Sequence, residues 1–320
     1  MAKDKRVSVA LVGGETLVGR EVRELLEKLP AVGEVTQYSL GAVGEGEVLA
    51  PIESANLKST PVVVLAGPES KGLPKLTGKV IVDVGGILEE SPEARLRAPL
   101  VEEGPGTAKA GVHVIAHPAA IALALILKEI HRISPTRRSV TLIFEPASER
   151  GQAGIEELQK QTVGLLTLKK LPQETFDAQL SFNLLPRYGE DAPVALEDIE
   201  LKIERHLASL LSATKAIPMP SLRLVQAPVF HGYSLSLWVE FENNPGADAL
   251  IAGLTSARID VRTADQEPPT NAGVAGQSGI TVGAIRNDRN CARACWLWVV
   301  ADNLKLAAEN ALEVAREALG

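Results

Sequence analysis

Cysteine is almost missing from this chain: Cys291 and Cys295 are the two thiols in 320 residues. That scarcity fits an intracellular chain, and two cysteines cannot close a zinc shell, so no metal is expected. Long apolar runs are missing too. Nothing approaches the ~20 residues of a membrane span, and Met1 to Arg6 is short and charged with no signal-peptide core behind it. No membrane partner follows, and the expected location is the cytoplasm. A third absence is a basic stripe. The net charge is −7, and Lys169-Lys170 and Arg137-Arg138 are isolated pairs that read as solvated loop charges, which argues against a nucleic-acid surface. Aromatic side chains make up 3% of the chain and leave the oligomeric state undecided.

Hydrophobic residues make up 45%, and the length suits about two domains. Val7 to Val12 is a short apolar run that Gly13-Gly14 stops at once, the pattern of a buried strand ending in a turn. Beyond it Leu17, Val18, Val22, Leu25, Leu26 and Leu29 recur at three- and four-residue steps, with Glu21, Arg23, Glu24 and Lys28 on the other face. That is an amphipathic helix packing back on the strand. A helix starting through glycines over a strand's carboxyl end offers its first amides, here those of Leu17 and Val18, to an anion. This is dinucleotide-binding geometry with one part missing. Gly13 and Gly19 stand in a G-x-x-G-x-x-G spacing, but Thr16 falls where a glycine lets the pyrophosphate touch the backbone. The same pattern suits a tight strand-to-helix turn in any doubly wound sheet.

The first third keeps alternating, with strands expected over Val35 to Leu40, Val62 to Leu65, Val80 to Val84 and Val112 to Ala116, each followed by turn residues. Between Gly41 and Leu57, where a cofactor's ribose would be held, Glu45 and Glu47 occur with no basic residue nearby, which disfavours a 2′-phosphate. After His117-Pro118-Ala119-Ala120 an apolar helix runs from Ile121 to Ile130. The remainder reads as α+β. Helices are expected over Gly154 to Val163, Leu196 to Leu211 and Ala247 to Ala257, and strands near Leu222 to Val225, Ser234 to Phe241 and Trp296 to Val300. A last helix from Asp302 to Leu319 carries Leu304, Ala307, Ala308, Ala311, Leu312 and Ala315 on its inner face and returns to the first domain.

Five ordered stretches, spanning nearly the whole chain, resemble the aspartate-β-semialdehyde dehydrogenase family. They are His117 to Ala122 at the family's Asn-Pro-Asn-Cys-Ser-Thr turn, Ile143 to Leu158, Phe182-Asn183-Leu184-Leu185-Pro186, Pro228 to Ser234, and Leu297 to Leu304. The resemblance implies a Rossmann-like dinucleotide-binding domain (1–120 with 302–320) and an α+β catalytic and dimerisation-type domain (121–301). It also implies a homodimer through the second domain's sheet, and places Asn303 beside a nicotinamide.

The family's chemistry does not carry over residue by residue. Its nucleophilic cysteine is matched by Ala120, its orienting glutamine by Glu145, its acid/base histidine by Tyr233 and its carboxylate-clamping arginine by Gln226. A lysine on the helix from Leu196 aligns with Glu200, and a basic residue near Val82 to Leu88 with Glu89. A methyl group cannot form a thioester, and reversed charges repel an anionic substrate. The expectation is a non-catalytic, Usg-type homologue acting as a homodimeric binding or structural protein, with no certain cofactor and weak NAD(P) binding at most. The alternative is an NAD(P)-dependent aldehyde or oxo oxidoreductase with an altered site. In that case His231 and Tyr233, two apart on a strand and about 7 Å from each other, would join Glu145 as an acid/base set. His113, His131 and His206 stand singly and carry no readable signal.

Overall fold

The computed structural model describes residues 6–39, 50–52, 57, 60–67, 73–104, 106–212, 214 and 216–320. The chain divides into two compact units, 1–116 with 307–320, and 117–306. The division falls four residues before the expected boundary at 120, because Pro118 to Ala120 form the first turn of a helix of the second unit. It falls later at the other end because Asn303 is bonded within that unit. No helix among the described residues is long and apolar enough to cross a membrane.

In the first unit, β1 (Val7–Val12), β2 (Val32–Ser39), β3 (Ala50–Pro51), β4 (Val62–Leu65), β5 (Val80–Asp83), β6 (Ala94–Arg97) and β7 (Gly111–Ile115) form one parallel sheet in the order β3-β2-β1-β4-β5-β7-β6. Chain order runs outward from β1 to β3 and then resumes at β4 on β1's other side. The carboxyl ends of β1 and β4 therefore flank a topological switch point, where open α/β sheets take ligands. Helix α1 (Leu17–Glu27) follows β1 as expected and buries Gly19, Val22 and Leu26. β2 begins three residues earlier than expected, since Val32 pairs with Val7. Glu45 and Glu47 lie outside the described residues.

The second unit holds α2 (Pro118–Ile133), β8 (Thr136–Glu145), a 3-10 turn (Ala147–Arg150), α3 (Gly151–Leu166), α4 (Leu196–Ser212), β9 (Ser221–Gln226), β10 (Tyr233–Phe241), α5 (Ala247–Leu254), β11 (Ile259–Val261), β12 (Ile280–Asn287) and β13 (Ala294–Ala301). Its six-stranded mixed sheet has the order β11-β12-β13-β10-β8-β9. Side chains alternate across it. Ile143, Glu145, Tyr233, Leu235, Leu237 and Val299 are buried on the face that carries α2, α4 and α5. On the opposite face, register brings Val140 and Leu142 beside Trp238, Trp296 and Trp298, so all three of the chain's tryptophans line one open surface.

The helix that closes the chain, α6 (Asn303–Leu319), buries Leu306, Ala307, Ala308, Asn310, Ala311, Val314 and Ala315. Leu304 and Leu312, expected on the inner face, are half-buried and flank that stripe. Within the first unit Asn310 Oδ1 accepts from the Leu100 amide at 3.1 Å, and Glu317 Oε2 lies 2.9 Å from Arg97 Nη2.

Candidate functional site

The second unit gathers a buried polar cluster where β8, β10 and the 3-10 turn meet. Glu145 is the last residue of β8, and a strand's alternation turns it inward beside Ile143. Its Oε2 accepts from the Tyr233 hydroxyl at 3.4 Å, and its Oε1 lies 3.3 Å from Arg150 Nη2. The Tyr188 hydroxyl donates to Gln226 Oε1 at 2.6 Å and sits 3.3 Å from Glu145 Oε1. Burial pushes Glu145 up to about 7, with Arg150 and the two hydroxyls pulling the other way. Burial also raises Glu149, and it raises Tyr188 and Tyr233 above the ordinary phenol range. Arg150 stays charged, because the carboxylates beside it outweigh the desolvation of its cation.

Two residues named from the sequence are closed by protein partners. Gln226 Nε2 donates to the Glu145 carbonyl at 2.8 Å while its Oε1 takes the Tyr188 proton. Asn303 Oδ1 accepts from the Gly232 amide at 3.0 Å, and its Nδ2 donates to Glu149 Oε1 at 2.8 Å and to Ser148 Oγ at 3.1 Å. Ala120 stands in the first turn of α2 with its methyl fully buried.

Tyr188 reaches the cluster through a loop that sequence periodicity does not describe. Two buried polar side chains of α3 hold it: Glu157 accepts from the amides of Thr175 and Phe176, and Gln161 binds Pro172, Ala178, Leu180 and Ser181. Leu185 then pairs with Gln226, which brings Tyr188 over the end of β9. Satisfied backbone groups let this loop run partly buried.

Several sequence-based expectations need correction. The histidine near Tyr233 is His117, whose ring packs edge-on at 5.9 Å and whose Nε2 lies 3.8 Å from Glu149 Oε2. His231 precedes Gly232, whose φ of +82° breaks the alternation before β10 begins, so the two-apart strand argument does not apply. His206, read as a lone histidine, accepts the His117 amide proton on Nδ1 at 2.9 Å. Glu200 turns away to the sheet edge, where its carboxylate accepts from the Leu224 amide at 2.5 Å with Arg223 at 3.7 Å. The cation of α4 that acts on the cluster is Lys202, one turn before His206, which with Arg150 and Asn303 partly offsets the burial that raises Glu149. Cys295 is buried with its thiol donating toward Asn244 and Asn287, and burial raises it.

In the first unit the turn after β1 has the shape expected for a dinucleotide crevice. Gly13 has φ +79°, and a Cβ there would meet the Gly67 amide at 2.5 Å, so the ends of β1 and β4 approach as only glycine allows. Thr16 does not project freely. It caps α1, its hydroxyl accepting from the Gly19 amide at 3.0 Å and lying 2.8 Å from the Gly13 carbonyl. Leu17 and Val18 follow as the first helical residues, half-buried. At the end of β2 stand Gln37, Tyr38 and Ser39, with Arg23 of α1 donating to Gln37 at 3.3 Å. The turn therefore fits a dinucleotide phosphate, and Arg23 of α1 stands at the end of β2, outside the Gly41 to Leu57 stretch.

These features define a class: a two-unit architecture, with a parallel dinucleotide-type sheet in one unit and a mixed sheet with one open face in the other. Residues 127–306 match the semialdehyde dehydrogenase dimerisation domain, and the chain belongs to the semialdehyde dehydrogenase family. It is 27% identical to the aspartate-semialdehyde dehydrogenase of Rickettsia bellii, with 98% of each chain covered. It is also 27% identical to a USG-1 protein homolog of Azotobacter vinelandii, with 97% of this chain and 96% of that one covered. The solved structure of a probable aspartate-semialdehyde dehydrogenase from Pseudomonas aeruginosa shares the fold, with a TM-score of 0.80, 23% identity, and coverage of 97% of this chain and 98% of that one.

Proposed function

We propose that this chain is a non-catalytic member of the semialdehyde dehydrogenase family that works as a homodimeric binding or structural protein. The observation that carries the reading is the lack of a thiol where covalent chemistry would need one. Ala120 fills that position, and Cys295 pairs opposite Val239, six residues along β10 from Tyr233, or about 20 Å away. The surrounding groups support it: Gln226 and Asn303 are occupied by protein partners, and Glu145 is held by Arg150 and Tyr233. The test is an assay with aspartate semialdehyde, phosphate and either NAD or NADP, run beside a family enzyme. The expected rate equals the blank, and a heat-labile rate above it would retire the reading.

Dimerisation rests on the open face of the second sheet. Val140, Leu142 and Trp296 are exposed there, while the indole N–H groups of Trp238 and Trp296 both donate to Asp288 at 2.8 Å. A contiguous apolar face with satisfied polar edges suits association with its own copy. Sedimentation equilibrium should give a dimer, and Leu142→Glu with Trp296→Glu a folded monomer. A wild-type monomer at high micromolar concentration would count against this.

One observation favours the altered-enzyme reading: a carboxyl pushed up to about 7 beside the Tyr233 hydroxyl, with the His117 ring packed edge-on to that phenol, is suited to proton transfer. Turnover of any aldehyde or oxo substrate with a nicotinamide cofactor would decide for it. A dinucleotide, if held, would use the Gly13 turn and the Leu17 and Val18 amides, and would supply hydride chemistry. Calorimetric titration should give NADP binding weaker than micromolar, with NAD no worse.

A further inference from the structure

Among the described residues Arg150 makes one close ion pair. Its Nη2 lies 3.3 Å from Glu145 Oε1, but its Nε is buried and has no hydrogen-bond partner among the described residues. A buried N–H left without an acceptor forfeits the hydrogen bond it would make to water. Nε and Nη2 together form the edge with which a guanidinium grips a planar carboxylate in two parallel bonds. The Arg150 side chain is 17% exposed and that of Glu149 is 14% exposed, so the cluster is not sealed from solvent on this side.

We propose that Arg150 anchors a small carboxylate ligand in the second unit, whose two oxygens take Nε and Nη2 and displace Glu145 from the guanidinium. This rests on the reading of the unit as a binding site without turnover, and it names the ligand class of that site. The guanidinium turns about its terminal torsions to present the fork, and Glu145 keeps the hydroxyl of Tyr233. Glu149 also draws on the Arg150 charge, but Asn303 binds its Oε1 and Lys202 shares in offsetting it. The position aligned with a carboxylate-clamping arginine, Gln226, is uncharged and fully bonded, so the anchor has no counterpart in the residues named from sequence.

The test is calorimetric titration of the full chain with acetate and succinate, with acetamide as the neutral isostere and inorganic phosphate as the tetrahedral anion. Acetate and succinate should saturate in the millimolar range, with acetamide and phosphate at least tenfold weaker. Glu145→Gln, which removes the internal competitor, should tighten acetate at least threefold, and Arg150→Gln should weaken it at least tenfold. A thermal melt of each variant checks its fold. Should Arg150→Gln not fold, Arg150→Lys, which keeps the charge and loses the fork, should still weaken acetate at least threefold. The proposal is overturned if neither the wild type nor Glu145→Gln gives saturable heat, if acetamide or phosphate binds as well as acetate, or if the arginine variants bind unchanged. Turnover in the semialdehyde assay would remove the non-catalytic reading and leave the binding result standing.

Discussion

The proton on Glu145 makes the stability of the second unit depend on pH in an unusual direction. Its carboxyl is raised from 4.5 to about 7, chiefly by burial. Below pH 4.5 both the folded and the unfolded chain hold the proton, and the contribution is complete. Between 4.5 and 7 the unfolded chain ionises freely while the folded one does not, so stability falls as pH rises. Above 7 both forms are ionised and no further change occurs. A shift of that size corresponds to about 3 kcal/mol lost across the window. Glu149 is raised in the same sense, chiefly by burial, whereas Tyr188 and Tyr233 titrate too high to contribute.

The assay is urea unfolding followed by tryptophan emission at pH 5, 6, 7 and 8 and constant ionic strength. Trp238, Trp296 and Trp298 all lie in the second unit with Glu145, and His113 of the first unit, whose lowered pKa works with the opposite sign, is common to the wild type and to Glu145→Gln. The wild type should lose stability steadily from pH 5 to 7 and level off. Glu145→Gln, neutral throughout, should flatten most of that slope. A wild type as stable at pH 7 as at pH 5, or a Gln variant with the full slope, would refute the burial argument.

Other perturbations test separate parts of the structure. Leu168 is 96% exposed with φ +55°, after the C-cap of α3, where Lys169 donates to the Gly164 carbonyl at 2.9 Å. Leu168→Gly should therefore stabilise the second unit by about 1 kcal/mol by removing left-handed strain, read as a higher urea midpoint. Thr16→Ala should cost about 1 kcal/mol by uncapping α1, read as faster hydrogen exchange at the α1 amides; unchanged exchange would mean the cap is idle. Ala120→Cys should stay inactive in the semialdehyde assay, since a thiol alone does not restore groups that act as a unit. Its added sulfur should also destabilise a fully packed turn by about 1–3 kcal/mol, visible in the same urea curve.

Where burial was continuous the sequence could be read directly. β1, β4 and β5 are short apolar runs because parallel strands are covered on both faces, and α1 and α2 declare themselves by their stripe or by their apolar length. The strands not anticipated are those with one open or edge-facing side. β8 reads TRRSVTLIFE and β12 reads ITVGAIRN, each mixing arginine and small polar residues with apolar ones. β6, an edge strand paired only with β7, reads ARLR. In such strands half the positions answer to solvent or to a partner, so local hydrophobicity no longer reports the backbone.

The site divides along a similar line. Ordered motifs singled out Glu145, Gln226 and Tyr233, and the fold brings the three into one cluster through Tyr188 and the end of β8. Tyr188, Arg150 and Lys202 escaped notice because what defines each is a contact with a residue distant in sequence or a burial that no local pattern encodes. Tyr188 meets Glu145 across 43 positions. A signal was nevertheless present: Glu149-Arg150 follows Glu145 after three small or rigid residues, and Lys202 and His206 share a helix face at a four-residue step. Opposite charges set so close to an inward-facing strand end are better accounted for by mutual pairing than by solvation. Matching single positions to a family therefore identifies which groups were exchanged, whereas the chemistry left at the site depends on charges that arrived beside them. Here Arg150 and Lys202 stand against Glu145 and Glu149 in near balance, so the cluster has the means to hold charge whatever stands at position 120.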